Sequence, residues 1–332
     1  MTAFPLADAD LADRLAARLE IVEERLRDAV TNVDPLADDA SRHLVNAGGK
    51  RLRPLLTLLA AELGDGSRLE VIDAAVVVEL THLATLYHDD VMDSAPLRRG
   101  APAAHEVWGN SVAILTGDLL FARASATVAG LGPNAVRIQA ATFERLCLGQ
   151  LHETVGPRPE DEPIAHYLQV LADKTASLIA TSARFGAMFS GCRPDVVAIV
   201  TAFGEKIGVA FQLADDVLDL TSGGDVTGKT PGTDLRERVP TMPALLLRAR
   251  AASPTATEQD LAVLALLDGD LSDDESLTAA VAALRVHPVV AETRDQAIGL
   301  ARAAVAELGP LPDGSVKDAF VSFADALVDR AS

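Results

Sequence analysis

The chain is poor in cysteine, in aromatic side chains and in positive charge. Two cysteines in 332 residues are too few for a disulfide framework, so Cys147 and Cys192 read as small, buried, reduced thiols. Aromatic residues make up 4% of the chain, and alternating stretches rich in aromatic and β-branched side chains, the mark of strands, are scarce. Lys and Arg number 29 against 48 Asp and Glu, a formal net charge of −19. A nucleic-acid-binding domain needs a basic footprint, so nucleic acid is excluded as a partner. The opening MTAFPLADADLADRL lacks a basic region followed by an apolar run, and no secretory signal is expected. No stretch offers the ~20 uninterrupted apolar residues of a membrane span. The expectation is a cytoplasmic protein with no integral membrane segment.

What is present is helical periodicity. In LADRLAARLEIVEERLRDAV, residues 11 to 30, the aliphatic positions keep to one side and the charges surround the rest. The spacing predicts further helices over 35–46, 52–63, 68–93, 110–130, 134–155, 163–190 and 194–221, with shorter ones after Pro243. Gly- and Pro-rich segments such as PLRRGAP, GPRPEDEP and SGGDVTGKTPGTD separate them. No change of composition and no short repeat divides the chain, so residues 1–332 are expected to form one all-α domain. Its chemistry-bearing part is about 48–243, followed by C-terminal helices over 244–332.

Two acidic clusters stand out. HDDVMD at 88–93 and DDVLD at 215–219 each place Asp at i and i+4, near the C-terminal ends of long apolar segments. Asp89 and Asp93, and likewise Asp215 and Asp219, therefore share a helix face. Carboxylates crowded beside apolar surface repel one another and lose hydration, a cost that hard cations offset. Magnesium takes one or two carboxylates together with water and substrate phosphates. One isolated pair reads as a solvated helix face; two in matched settings read as metal sites for a diphosphate.

Cations gather in loops of this acidic chain. GGKRLRP places Lys50, Arg51 and Arg53 at a glycine-permitted turn opening a helix, where free N–H groups favour anions. LRRG supplies Arg98 and Arg99 just after the first acidic cluster, DKTASL supplies Lys174 beside Thr175, and Lys229 follows the second cluster. Guanidinium and ammonium groups of this kind suit phosphorylated ligands. Arg51 reads instead as an ordinary surface cation with a carboxylate partner. His82 lies two turns before Asp89 and reads equally as a phosphate donor or a satisfied core histidine, and His88 as a support for the neighbouring aspartates. His105, His152 and Trp108 read as structural.

Taken together, GGKRLRP, HLATLYHDDVMD, LRRG, WGN with AILTGD, GQLHE, DKTASL, FQLADDVLD and GKTPGTDL, in this order, resemble the trans-isoprenyl diphosphate synthase, or polyprenyl synthetase, family. The resemblance implies a bundle of mostly antiparallel helices around a deep central cavity, a homodimer, and two aspartate motifs facing each other across the cavity mouth. It implies that Asp89, Asp93 and Asp215 are the principal Mg²⁺ ligands, with Asp90, Asp216 and Asp219 completing the motifs and three ions bound with substrate. Arg98, Lys174 and Lys229 match the site of the allylic diphosphate, farnesyl or geranylgeranyl, and Thr175 beside Lys174 is a further substrate-binding candidate. Lys50, Arg53, His82 and Arg99 match the isopentenyl diphosphate pocket. Gln212 matches a glutamine near the reacting atoms, and Gln150 the start of a motif lining the cavity.

Two positions depart from the family pattern. A lysine common five residues after the aspartate of GTDL is Val239 here, with Arg236 and Arg238 nearby, and Glu153 stands where the GQ motif often has Asp or Gln. The growing product is expected to run along the helix carrying the first aspartates. Ala84 and Thr85, the fifth and fourth residues before Asp89, are small and predict an open tunnel and a long product, heptaprenyl to decaprenyl, of the kind used for a quinone side chain. Phe121 and Leu80 are alternative floor residues. A short-chain farnesyl or geranylgeranyl synthase and a non-catalytic partner subunit are the alternatives. DDVLD argues against a terpene cyclase, which would carry an Asn/Ser/Glu-type second motif. A regulatory or scaffold protein leaves both acidic clusters unexplained.

Overall fold

In the computed structural model, residues 7–221 and 232–329 are described, and they are almost entirely helical. The first helices are α1 (Ala9–Val30), α2 (Pro35–Asn46), α3 (Leu52–Ala61) and α4 (Leu69–Met92). α5 (Ala104–Trp108), α6 (Asn110–Gly130), α7 (Pro133–Val155), α8 (Pro163–Leu171), α9 (Ser177–Phe189) and α10 (Pro194–Thr221) follow. Helices continue from Met242 to Val328. α1 buries Leu11, Leu15, Leu19, Val22, Leu26 and Val30, a spacing of three and four that makes one apolar stripe. Asp8 caps it by accepting from the Leu11 N–H, and Asp34 caps α2 in the same way with Pro35 at the first helical position.

The chain divides into two compact units. One comprises Met1–Leu146, Ser177–Gly204 and Glu307–Ser322; the other comprises Cys147–Ala176, Glu205–Ala306 and Phe323–Ser332. Within the first, three glycines mark close approaches between helices. A Cβ on Gly117 of α6 would lie 2.3 Å from the His88 ring of α4, and one on Gly186 of α9 would lie 2.0 Å from the Thr57 carbonyl oxygen of α3. One on Gly204 of α10 would lie 2.5 Å from the Ala180 Cα. An apolar cluster including Ala74, Val77, Val128, Ile138, Leu178 and Phe185 fills this unit.

One feature adds to the sequence expectations and three differ from them. By length and composition α6 and α10 are both apolar enough to cross a membrane, although neither contains an uninterrupted apolar run; α10 ends on Asp215, Asp216 and Asp219, and its glycines pack on neighbouring helices. The helix expected over 163–190 is divided at Ala172–Ala176 by a π-helical turn. A two-stranded antiparallel hairpin, β1 (Leu97–Arg98) with β2 (Ala101–Pro102), turns through Arg99 and Gly100, both at positive φ. The cysteines are free but not buried: Cys147 is exposed on α7 beside exposed Leu148, and Cys192 is intermediate.

Candidate active site

The first aspartate cluster ends α4. Asp89 is half-buried, Asp93 is exposed at the helix C-cap, and the Asp93 N–H donates to the Asp89 carbonyl at 2.8 Å. Asp90 differs in kind: its side chain is fully buried and Arg98 donates to its Oδ1 through Nε at 2.6 Å and Nη2 at 2.5 Å. Burial raises the Asp90 carboxyl above its ordinary range, against the pull of Arg98. Its Oδ2 is buried without a hydrogen-bond partner among the described residues.

Four arginines surround His82. Burial first, then the charges of Arg53, Arg99, Arg98 and Arg51, hold its imidazole well below its ordinary value, so it is neutral at pH 7. Burial lowers Arg53 to about 10, opposed by Glu79 and reinforced by Arg99, and the Arg53 Nε lacks a partner among the described residues. Arg99 adopts φ +55° and donates through Nη1 to the carbonyls of Leu44 and Gly48. Its guanidinium lies against Gly49, where any side chain would collide with it. Lys50 is exposed in the same loop.

Arg51 is not the surface cation expected of it. It adopts φ +50° at the N-terminus of α3, and its side chain is only 2% exposed. It donates to Glu79 at 2.8 Å, to Glu23 at 2.5 Å, and to the carbonyls of Gly48 and Val45. Burial works against its charge, but the bonds to Glu23 and the charges of both carboxylates outweigh it and raise the guanidinium further. A carboxylate partner was expected; its position inside α4, three residues before His82, was not.

The second cluster is held in the other unit. Asp215, Asp219 and Gln212 are half-buried on α10. Asp216 is buried, its two oxygens 2.9 and 2.8 Å from the Tyr167 hydroxyl and one of them accepting from the Met242 N–H at 2.9 Å. The chain end of α10 is fixed by Arg285, which donates to the Leu220 carbonyl at 2.6 Å, and by the Gly232 N–H on the Asp219 carbonyl. The C-terminal third, without a motif of its own, thus supports this cluster. Tyr167, Met242 and Arg285 escaped sequence reasoning because nothing local marks them; only the fold brings them to α10.

Burial pushes the Asp216 carboxyl up to about 8, against the bonds from Met242 and Tyr167 that favour its charge. A raised carboxyl binds more protons in the folded than in the unfolded state, so its contribution to stability is full below about pH 4 and is lost as pH rises toward about 8. Urea unfolding of metal-free protein at pH 5 and pH 8 is expected to show a smaller loss for Asp216→Asn than for the wild type. Equal losses would contradict the burial argument.

Lys174 sits in the π-helical turn with its ammonium on Glu153, and Thr175 beside it is buried. Gln150 keeps a buried Oε1 without a partner among the described residues. Lys229 lies outside the described residues. Ala84 and Leu80 are fully buried, and Thr85, partly buried, donates to the His82 carbonyl. Phe121 lies against His88, ring centres 5.8 Å apart, and meets Phe143 at 4.0 Å with the rings tilted by 46°. Among the described residues no three His, Cys, Asp or Glu side chains converge as a closed cage. The oxygen-only donors at the ends of α4 and α10 fit Mg²⁺, which keeps waters and substrate oxygens in its shell.

An all-α chain whose long helices α4 and α10 end on Asp-x-x-x-Asp pairs is the arrangement of a helical prenyltransferase. The chain belongs to the polyprenyl synthetase family, whose sequence model matches residues 34–284. It is similar to nonaprenyl diphosphate synthase of Mycobacterium tuberculosis, 44% identical over 328 residues that cover 98% of this chain and 96% of the relative. Heptaprenyl diphosphate synthase component 2 of Geobacillus stearothermophilus is 40% identical over 261 residues, 77% of this chain and 80% of that protein. Among solved structures, geranylgeranyl pyrophosphate synthase from Corynebacterium glutamicum, complexed with calcium and isoprenyl diphosphate, superposes with a TM-score of 0.86 at 41% identity, over 98% of this chain and 99% of that one.

Proposed function

We propose that the protein is a long-chain trans-polyprenyl diphosphate synthase. It condenses isopentenyl diphosphate head to tail with farnesyl or geranylgeranyl diphosphate to give a heptaprenyl to decaprenyl product, as for a quinone side chain. The observation that carries this reading is the 44% identity, over nearly the whole of both chains, to a nonaprenyl diphosphate synthase. Small residues at 84 and 85 support it. The geranylgeranyl synthase likeness favours the short-chain enzyme as second reading, and a non-catalytic partner subunit stands third, against which stand the two intact aspartate motifs.

Asp89 and Asp93 hold Mg²⁺ at the end of α4, and Asp215 and Asp219 do so at the end of α10, with three ions present when substrate is bound. Mg²⁺ held by these aspartates would supply the positive charge that a departing diphosphate needs, and so would lower the barrier to ionisation. Arg98 and Lys174 grip the allylic diphosphate with Thr175 and Lys229, and Gln212 lies near the reacting atoms. The allylic carbon–oxygen bond breaks with its electrons going to diphosphate. The double bond of isopentenyl diphosphate then attacks the allylic cation, and a proton leaves to the diphosphate. Lys50, Arg53, Arg99 and His82 hold the isopentenyl group; a neutral His82 donates one hydrogen bond and accepts another, adding no charge to the arginines. Asp90 and Asp216 act from inside the protein, Asp90 by orienting Arg98 and Asp216 by joining α10 to Tyr167 and Met242.

The functional unit is a cytoplasmic homodimer. Val107, Ile114 and Leu115 on α5 and α6 are exposed apolar residues, the last 65% exposed, that a second copy would cover. The decisive experiment is incubation with Mg²⁺, labelled isopentenyl diphosphate and either allylic primer, with product length read by reversed-phase chromatography. A ladder ending between heptaprenyl and decaprenyl is expected. A product ending at geranylgeranyl would replace the long-chain reading by the short-chain one, and no elongation would favour the partner subunit. Ala84→Phe is expected to shorten the ladder; unchanged length would sink the assignment of α4 as the tunnel wall.

A further inference from the structure

Lys174 stands on irregular backbone. The π-helical turn Ala172–Ala176 interrupts an otherwise continuous helical stretch, and such turns are rare and gather at functional sites. The helix it meets has no side chain at the contact. A Cβ on Gly149 of α7 would lie 2.4 Å from the Lys174 N and 2.8 Å from its Cα, so the two backbones touch only because residue 149 is glycine. One turn along α7, at i+4, Glu153 accepts a hydrogen bond from the Lys174 ammonium. The two side chains are 24% and 26% exposed, so water competes for this pair less than for an open surface one. A lysine stem has four rotatable carbons and little intrinsic aim; here one carboxylate supplies it.

We infer that Gly149 and Glu153 are positioning residues for Lys174. The glycine seats the π-helical turn on α7, and the carboxylate holds the ammonium through one N–H, leaving two of its three donors for phosphate oxygens. This rests on the reading of Lys174 as a ligand of the allylic diphosphate. It also gives Glu153 a role distinct from that of a metal-linked acid: in this chain the side chain is spent on a cation. A diphosphate therefore meets an ammonium already aimed, and loses less on binding than it would in capturing a free lysine.

Steady-state kinetics of Glu153→Ala, Glu153→Gln and Gly149→Ala test the inference. In Glu153→Ala the KM for the allylic diphosphate is expected to rise about tenfold, the order of one charge-assisted hydrogen bond. The KM for isopentenyl diphosphate and the half-saturating Mg²⁺ concentration should not move. Glu153→Gln, which still accepts through Oε1, should recover part of the loss. Gly149→Ala should lower kcat/KM for the allylic substrate with helical circular dichroism retained; if it fails to fold, the Glu153 variants decide alone. An allylic KM that is unchanged or lower in Glu153→Ala overturns the positioning role. A shifted Mg²⁺ requirement overturns it in favour of a metal-linked acid, and parallel changes in both substrates' KM overturn it in favour of a general structural one. Wild-type protein that fails to elongate would defeat the proposed function itself, whereas active wild type with an indifferent Glu153→Ala defeats only this inference.

Discussion

Asp89→Ala is expected to lower kcat at least about 1,000-fold while leaving the fold intact or slightly more stable. The two signs have separate origins. Asp89 lies in the last turn of α4, where the helix dipole presents its negative end, so a carboxylate there is mildly unfavourable in metal-free protein. The same carboxylate becomes favourable only when a hard cation and a diphosphate share the site. Single-turnover elongation and thermal melting without Mg²⁺ together check both signs. Retained activity would remove Asp89 from the metal site, and a sharp loss of melting temperature would make it a structural residue. Asp90→Ala should behave oppositely in stability, because it strands Arg98 beside a fully buried position.

Glu79→Ala is expected to cost ~3–5 kcal/mol of stability, the range for breaking a buried ion pair by removing one partner. Arg51 and Glu79 are each 2% exposed, so the arginine left behind has no water to turn to. Glu23 remains as a second partner, which places the expected value toward the lower end. Glu79→Gln keeps a hydrogen-bond acceptor and should cost less. The paired change Arg51→Met with Glu79→Met should recover much of the loss, since replacing both members by apolar side chains of similar volume removes the desolvation penalty. Urea denaturation decides; a loss below about 1 kcal/mol for Glu79→Ala would show that Glu23 alone satisfies Arg51. Activity should fall independently of stability, because Arg51 also holds the carbonyls of Gly48 and Val45 and with them the loop of Lys50 that leads into α3 and Arg53.

Much of this was legible in the sequence because helical spacing is a local property. The limits of α2, α6 and α10 follow from Asp34 and Pro35 before one helix and from the glycines and prolines between the others. The acidic clusters and loop cations were legible for a related reason: charge beside apolar surface is conspicuous in one dimension. What escaped depends on three. The π-helical turn is set by Gly149, far away in sequence from Lys174. Asp216 looked like Asp215, yet lies inside against Tyr167, since adjacent residues on a helix point about 100° apart. Arg51 read as a surface cation, yet at φ +50° its side chain is buried on Glu23 and Glu79, which lie 28 residues away on either side. The hairpin at 97–102 is too short to leave an alternating pattern.

The glycine contacts at His88, Thr57 and Ala180 bear on how product length can be re-engineered. Helices separated by side chains can be spread or drawn together by trimming and enlarging those side chains. Helices that meet backbone to backbone, as α10 does on α9 at Gly204, have no such adjustment, and a methyl group there is a collision. A library aimed at altered chain length should therefore leave residues 186 and 204 as glycine and vary residues 84 and 85, the proposed tunnel wall.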